Sequence, residues 1–109
     1  MSKYNLYLNL IQEMCKKLEE TDLKKLENDM IWDATLMRLQ VIGENSKKIS
    51  PEIKNRHKDV EWKNLEWFRN VVSHEYRRVL PEVVEGIIKK EIPILKKIIK
   101  QIKKELNEK

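Results

Sequence analysis

Residues 69–76 read RNVVSHEY and bring Arg69, Asn70, Ser73, His74 and Tyr76 together, in a chain that has only two histidines. These types suit one chemistry. RNA is cut without a metal when its own 2′-OH attacks the adjacent phosphorus. That step needs a base titrating near neutral pH, and an unperturbed histidine titrates near ~6.5. It also needs positive charge on the phosphorane, and arginine offers a planar fork of donors that stays protonated. Asn70 and Ser73 are of a kind to hold an imidazole tautomer or a phosphate oxygen. One helix gives one histidine and one arginine, a thin supply for acid, base and oxyanion stabiliser. Two chains paired across a two-fold axis would double it.

The element that must carry these residues is a helix within EWKNLEWFRNVVSHEYRRV. With Arg69 at zero on a helical wheel, Tyr76 falls near about −20°, Ser73 near 40°, Arg77 near 80°, Asn70 near 100° and His74 near 140°. Leu65, Phe68, Val71, Val72 and Val79 fill an arc of roughly 200° to 320°, which also holds Glu75. One face packs, and the other carries the groups that could touch a ligand. By spacing alone, a single Arg, His and Tyr on a helix face are usually just an ordinary solvated face.

Composition bounds the rest. The chain has 109 residues, 40% apolar and 38% charged, which predicts one globular domain spanning 1–109. Two glycines and three prolines leave little turn material for a sandwich or barrel, so an all-α fold is expected. The net charge of +5 is compatible with a nucleic-acid or acidic partner without demonstrating one. No apolar run approaches the roughly 20 residues of a membrane span, and the N-terminal stretch lacks a secretory pattern. A lone Cys15, on the apolar stripe of the first helix, reads as a core thiol in a reducing, cytoplasmic compartment. With one cysteine and two histidines there is no zinc-ligand set, and no glycine-rich phosphate loop is present. Neither a metal nor a cofactor is assigned.

The spacing predicts a first helix over 3–20, with Tyr4, Leu8, Ile11, Cys15 and Leu18 on one stripe. EETDLKKLEND is a polar connection, and Asp29 is placed to cap a second helix over about 30–48. Trp32, Thr35, Leu39, Ile42 and Ser46 share one face of that helix, with Leu36 and Ile49 beside it. Gly43 sits inside it at a cost of about 1 kcal/mol relative to alanine, the mark of a close backbone approach. Ser50 and Pro51 open a short third helix as N-cap and first residue. Pro81 ends the fourth helix or opens the next. The last helix covers about 82–107, with a kink expected at Pro93. Short connections between amphipathic helices imply an up-and-down bundle of four to five helices.

RNVVSHEY resembles the R-x4-H-x-Y signature of the HepT-like branch of the HEPN superfamily, with Arg69, Asn70, His74 and Tyr76 in register. RLQVIGENSKKIS resembles the family's IGEA segment on the second helix, with Asn45 where alanine is usual. VEWKNLEWFRN resembles the tryptophan-led approach to the motif. The resemblance spans roughly residues 30–100. It implies a HEPN-like helical bundle that forms a homodimer or higher oligomer, with two motif helices meeting in a composite cleft. It implies a metal-independent endoribonuclease, typically the toxin of a toxin–antitoxin pair. The implied partner is an MntA-type nucleotidyltransferase antitoxin that transfers AMP to the motif tyrosine. Carried over, Arg69 and His74 are the catalytic pair, Asn70 and Ser73 support them, and Tyr76 is the AMPylation site. Glu44, in the IGE segment, positions the motif or is simply a solvated glutamate.

Other residues read more plainly. His57 precedes a loop without a spaced partner and is expected at the surface. Trp32, Trp62 and Trp67 are expected to be core or interface anchors. Trp67 falls near about 160°, beside His74, where packing is preferred to base stacking. The lysines of the last helix form a solvated face by default, with RNA guidance as the alternative. Two other functional classes compete with the ribonuclease: a non-catalytic module that docks a nucleotidyltransferase or binds a nucleotide, and a purely structural oligomer.

Overall fold

A computed structural model of the chain describes residues 5–75 and 78–107, apart from the side chains of Ser73 and Glu75. Among the described residues six α-helices follow one another: α1 (Asn5–Glu19), α2 (Asp29–Lys47), α3 (Pro51–Arg56), α4 (Trp62–Glu75), α5 (Pro81–Gly86) and α6 (Ile92–Asn107). A 3₁₀ turn, Leu23–Lys25, interrupts the polar α1–α2 connection, and a π-helical turn, Ile87–Glu91, joins α5 to α6. No strand occurs among the described residues. The fold is an all-α, HEPN-like bundle. α1 lies against both α2 and α6, and α2 lies against α4.

Apolar periodicity builds the core. Leu8, Ile11, Cys15 and Leu18 of α1 are fully buried, as are Ile92, Leu95, Ile99 and Ile102 of α6. Complete burial of each aliphatic side chain is worth about 1.5–3 kcal/mol, so this seam is a large share of the stabilising burial. The Cys15 thiol is pushed up to about 12, first by burial and then by the nearby Glu19 carboxylate. It is a packing group, as its place on the stripe predicts. Thr35, Leu36, Leu39, Ile42 and Ser46 of α2 are also buried. Thr35 donates its hydroxyl to the Ile31 carbonyl (2.7 Å), and Asn45 donates its amide to the Val41 carbonyl (2.8 Å). Those bonds let two buried polar side chains sit on a packed face without an orphaned donor. Asn45 therefore tolerates a site where a smaller apolar residue would also fit.

Three local expectations change. The α2 cap is Asn28, not Asp29: the Asn28 amide oxygen accepts from the Met30 and Ile31 backbone N–H groups at 3.0 and 3.2 Å. Both residues are good caps, and the helix starts one residue earlier than the pattern suggests. The last helix is divided, and the irregularity precedes Pro93 instead of falling on it. The Ile92 N–H bonds back to the Ile87 carbonyl, five residues away. A proline ring presses on the carbonyl four residues earlier, and a widened turn there makes room for it. Third, His57 is buried. Its Nε2 lies 3.0 Å from Oε1 of Glu105 near the end of α6, and its carbonyl accepts the Trp62 indole N–H at 3.0 Å. The α3–α4 loop thus folds against the last turns of α6, a contact 48 residues apart that no local pattern announces. Ser50 and Pro51 do open α3, with the Ile53 N–H on the Ser50 hydroxyl at 3.3 Å.

Candidate active site

α4 begins where Glu61 turns its carbonyl onto the Asn64 and Leu65 N–H groups. It buries Trp62, Leu65, Phe68 and Val72, spaced by three and four residues. That spacing fixes which face of α4 meets α2. The helices cross where α2 has no side chain, at Gly43. A Cβ at residue 43 would lie 2.5 Å from the Arg69 Cβ and 2.9 Å from the Leu65 carbonyl oxygen. The first of these neighbours is the root of a side chain and the second is backbone, so neither can swing away. The close approach expected of Gly43 is therefore an approach to the helix that carries the motif.

The next residue of α2 completes the arrangement. Glu44 Oε1 pairs with Nη2 of Arg69. Nη1 of Arg69 donates to the Asn70 amide oxygen at 3.0 Å. Nε is buried and has no protein acceptor among the described residues. The guanidinium is thus held by a carboxylate on one side and an amide on the other. It remains partly open to solvent, with its side chain 27% exposed. Pre-orienting a long cationic side chain removes much of the entropy it would lose on gripping an anion.

His74 is exposed and lies five residues further along α4, roughly 7.5 Å up the helix axis from Arg69. Asn70 is also exposed, and its amide oxygen is engaged by Arg69. Tyr76 and the side chain of Ser73 lie outside the described residues. Trp67 is 59% exposed in the single chain, while Trp62 is core and Trp32 packs against the core's edge. On α2, Met30 and Met37 are also exposed, at 82% and 59%. They step by seven residues towards Glu44, so they share its face. Neither methionine stands out in the sequence. Their signal is the outward repeat at 30, 37 and 44, visible only once the inward face of α2 is fixed.

The described residues thus form a helical bundle in which an arginine of the motif helix is held against α2, with a histidine five residues on. The chain belongs to the HepT-like family: the family described as "Ribonuclease HepT-like" matches residues 4–102. Among individual relatives, the chain is 34% identical over 101 residues to "Putative RNase TTE0752" of Caldanaerobacter subterraneus subsp. tengcongensis, covering 88% of this chain and 90% of that protein. It is 29% identical over 103 residues to "Probable ribonuclease HepT" of Thermococcus cleftensis, covering 90% and 94%. It is 31% identical over 107 residues to "Gamma-glutamylcyclotransferase and putative RNase MJ0434" of Methanocaldococcus jannaschii. That match covers 94% of this chain, which spans about half (48%) of that longer relative. No solved structure matches the chain.

Proposed function

We propose that the protein is a metal-independent endoribonuclease, the toxin of a type VII toxin–antitoxin module. The observation that carries this reading is the seated Arg69, braced by Glu44 and Asn70 across the Gly43 crossing, on the same helix as an exposed His74, in a chain of the HepT-like ribonuclease family. His74 takes the proton of the 2′-OH as that oxygen attacks phosphorus. Arg69 donates to the phosphorane oxygens, and the leaving 5′-oxygen takes a proton from a second acid. The products are a 2′,3′-cyclic phosphate and a free 5′-OH. The motif helix supplies one histidine and one arginine, a thin set for base, acid and oxyanion stabiliser, so the reading includes a homodimer whose other His74 completes it. The exposed Met30, Met37 and Trp67, on the two helices that bear the site, suit such a contact.

Regulation follows the same electrostatics. An MntA-type nucleotidyltransferase antitoxin would transfer AMP from ATP to the Tyr76 hydroxyl, with release of pyrophosphate. The added anion beside Arg69 and His74 would stand where the RNA phosphate must lie.

Purified protein in EDTA is expected to cut RNA and leave 2′,3′-cyclic phosphate ends. His74→Ala and Arg69→Ala should each lower the rate by about 10²–10⁴-fold with unchanged circular dichroism. Cleavage that survives both substitutions removes the assignment. Incubation with ATP and the partner nucleotidyltransferase should add AMP mass that maps to Tyr76 and is absent from Tyr76→Phe.

A further inference from the structure

The chain's net charge of +5 is concentrated in one stretch. Residues 89–104 carry seven lysines against Glu91, a local +6, so the remainder sums to −1. α6 turns Ile92, Leu95, Ile98, Ile99 and Ile102 inward and most of its lysines outward. Three of the seven are committed to protein partners. Lys96 pairs with Glu19 at 2.8 Å, Lys89 pairs with Glu85 at 2.7 Å, and Lys103 donates to the amide oxygens of Asn9 and Gln12 at 2.6 and 3.0 Å. Lys90, Lys97, Lys100 and Lys104 are exposed and form no ion pair among the described residues, and the same holds for Lys16 of α1.

Two of these ammonium groups, those of Lys16 and Lys100, border a shaped surface. Asn9, Gln12, Glu13 and Lys16 of α1, with Lys96 and Lys100 of α6, line a groove of about 480 Å³. The Asn9 and Gln12 amide oxygens accept from Lys103, so their N–H groups are left as donors. Glu13 is paired with Lys17 at 3.3 Å. The groove walls are mostly the apolar stems of these side chains, and the cations on its edge without an ion pair among the described residues are Lys16 and Lys100. Lys97 and Lys104 stand about 10.5 Å apart along α6, with Lys100 between them, a spacing that follows a strand over several phosphates. No aromatic side chain lies on α6, so this face has no platform for stacking bases.

We infer that the outer face of α6, with the α1 edge at Lys16, is a second RNA-contacting surface. It grips the phosphate backbone without reading sequence, and it is separate from the Arg69/His74 site. The inference rests on the ribonuclease reading for the choice of RNA as the polyanion. Such a surface raises the affinity for long RNA and leaves the chemistry on a short substrate unchanged.

The test uses the full chain and a fluorescent 2′-O-methyl RNA oligonucleotide, which lacks the attacking hydroxyl and cannot be cut. One variant combines Lys97→Gln, Lys100→Gln and Lys104→Gln. A charge-matched control combines Lys24→Gln, Lys25→Gln and Lys58→Gln, all exposed and outside α6. At moderate salt the α6 variant should bind about tenfold more weakly, and its log–log salt slope should flatten by about 2, near 0.7 for each phosphate no longer neutralised. The control should stay within about twofold. Equal weakening of both variants, or unchanged binding by the α6 variant, overturns the inference; the second result is also what a protein occupant of this face would give. A cleavage assay separates this outcome from failure of the active-site reading. The α6 variant should cut a dinucleotide at the parent's rate and long RNA with a raised KM. If the parent cuts nothing while the α6 variant still binds selectively worse, the nuclease reading fails and the basic face stands.

Discussion

The α1–α6 seam and the α2–α4 crossing both bury apolar side chains, but only the crossing also depends on a missing side chain and a directed contact. The seam is made of side-chain bulk: leucines and isoleucines from both helices, buried to completion. The crossing turns on the absence of a side chain at Gly43, and beside it on one ion pair, Glu44 with Arg69. Bulk is forgiving about identity, because many apolar combinations fill one volume. A crossing set by a missing methyl and one directed contact is not. Both interfaces contribute stability, and the crossing alone also places the arginine.

Leu95→Ala is the harshest probe of the seam. It should cost about 2–5 kcal/mol by denaturant unfolding, through lost transfer energy and a residual cavity. Cleavage per folded molecule should be unchanged. If it fell as far as in a crossing variant, the division of labour would be wrong.

The two glycines give an internal control for the crossing. Gly43→Ala places a methyl against the Arg69 Cβ and the Leu65 carbonyl, so α2 and α4 must separate. Overpacking of this kind costs about 1–3 kcal/mol, and here it should also depress cleavage, because Arg69 moves with α4. Gly86 meets nothing within 4 Å of a Cβ, so Gly86→Ala should stabilise by about 0.5–1 kcal/mol through helix propensity alone. Thermal melts of both variants against cleavage rates sharpen the contrast. Similar effects at the two sites would break it.

Glu44→Gln isolates orientation from packing. The pair is partly exposed, so the change in stability should lie within about 1 kcal/mol. Cleavage should still fall, by about tenfold, through kcat more than KM, and Glu44→Asp should recover part of it. An unchanged kcat would leave Glu44 a bystander.

The smallest effect concerns neither region. Burial, with the nearby Glu61 charge second, raises the Glu91 carboxyl above its ordinary value of 4.5 in the π-turn. The folded chain therefore holds this proton more tightly than the unfolded chain does. Stability falls as pH climbs through the ordinary value towards the raised one. Glu91→Gln, which can keep the contact to Asn64, should raise the thermal midpoint slightly at pH 7 and gain nothing below pH 4.5.

The sequence by itself determined the first four helices and their inward faces, the Ser50–Pro51 start of α3, the core place of Cys15 and the need for a close approach at Gly43, but not the division of the last helix. What it determined follows from apolar period, cap chemistry and steric size, which act within a turn or two of chain. It also put Arg69, Asn70 and His74 on one helix in the register of a known motif. Only the tertiary structure decided that Gly43 faces Arg69, that Arg69 reaches Glu44 across 25 residues, and that His57 is buried against Glu105 across 48. Those pairings depend on how far each helix is rotated and slid against its neighbour. Many near-equivalent packings satisfy the same apolar pattern, and the summed fit of the whole core selects one of them.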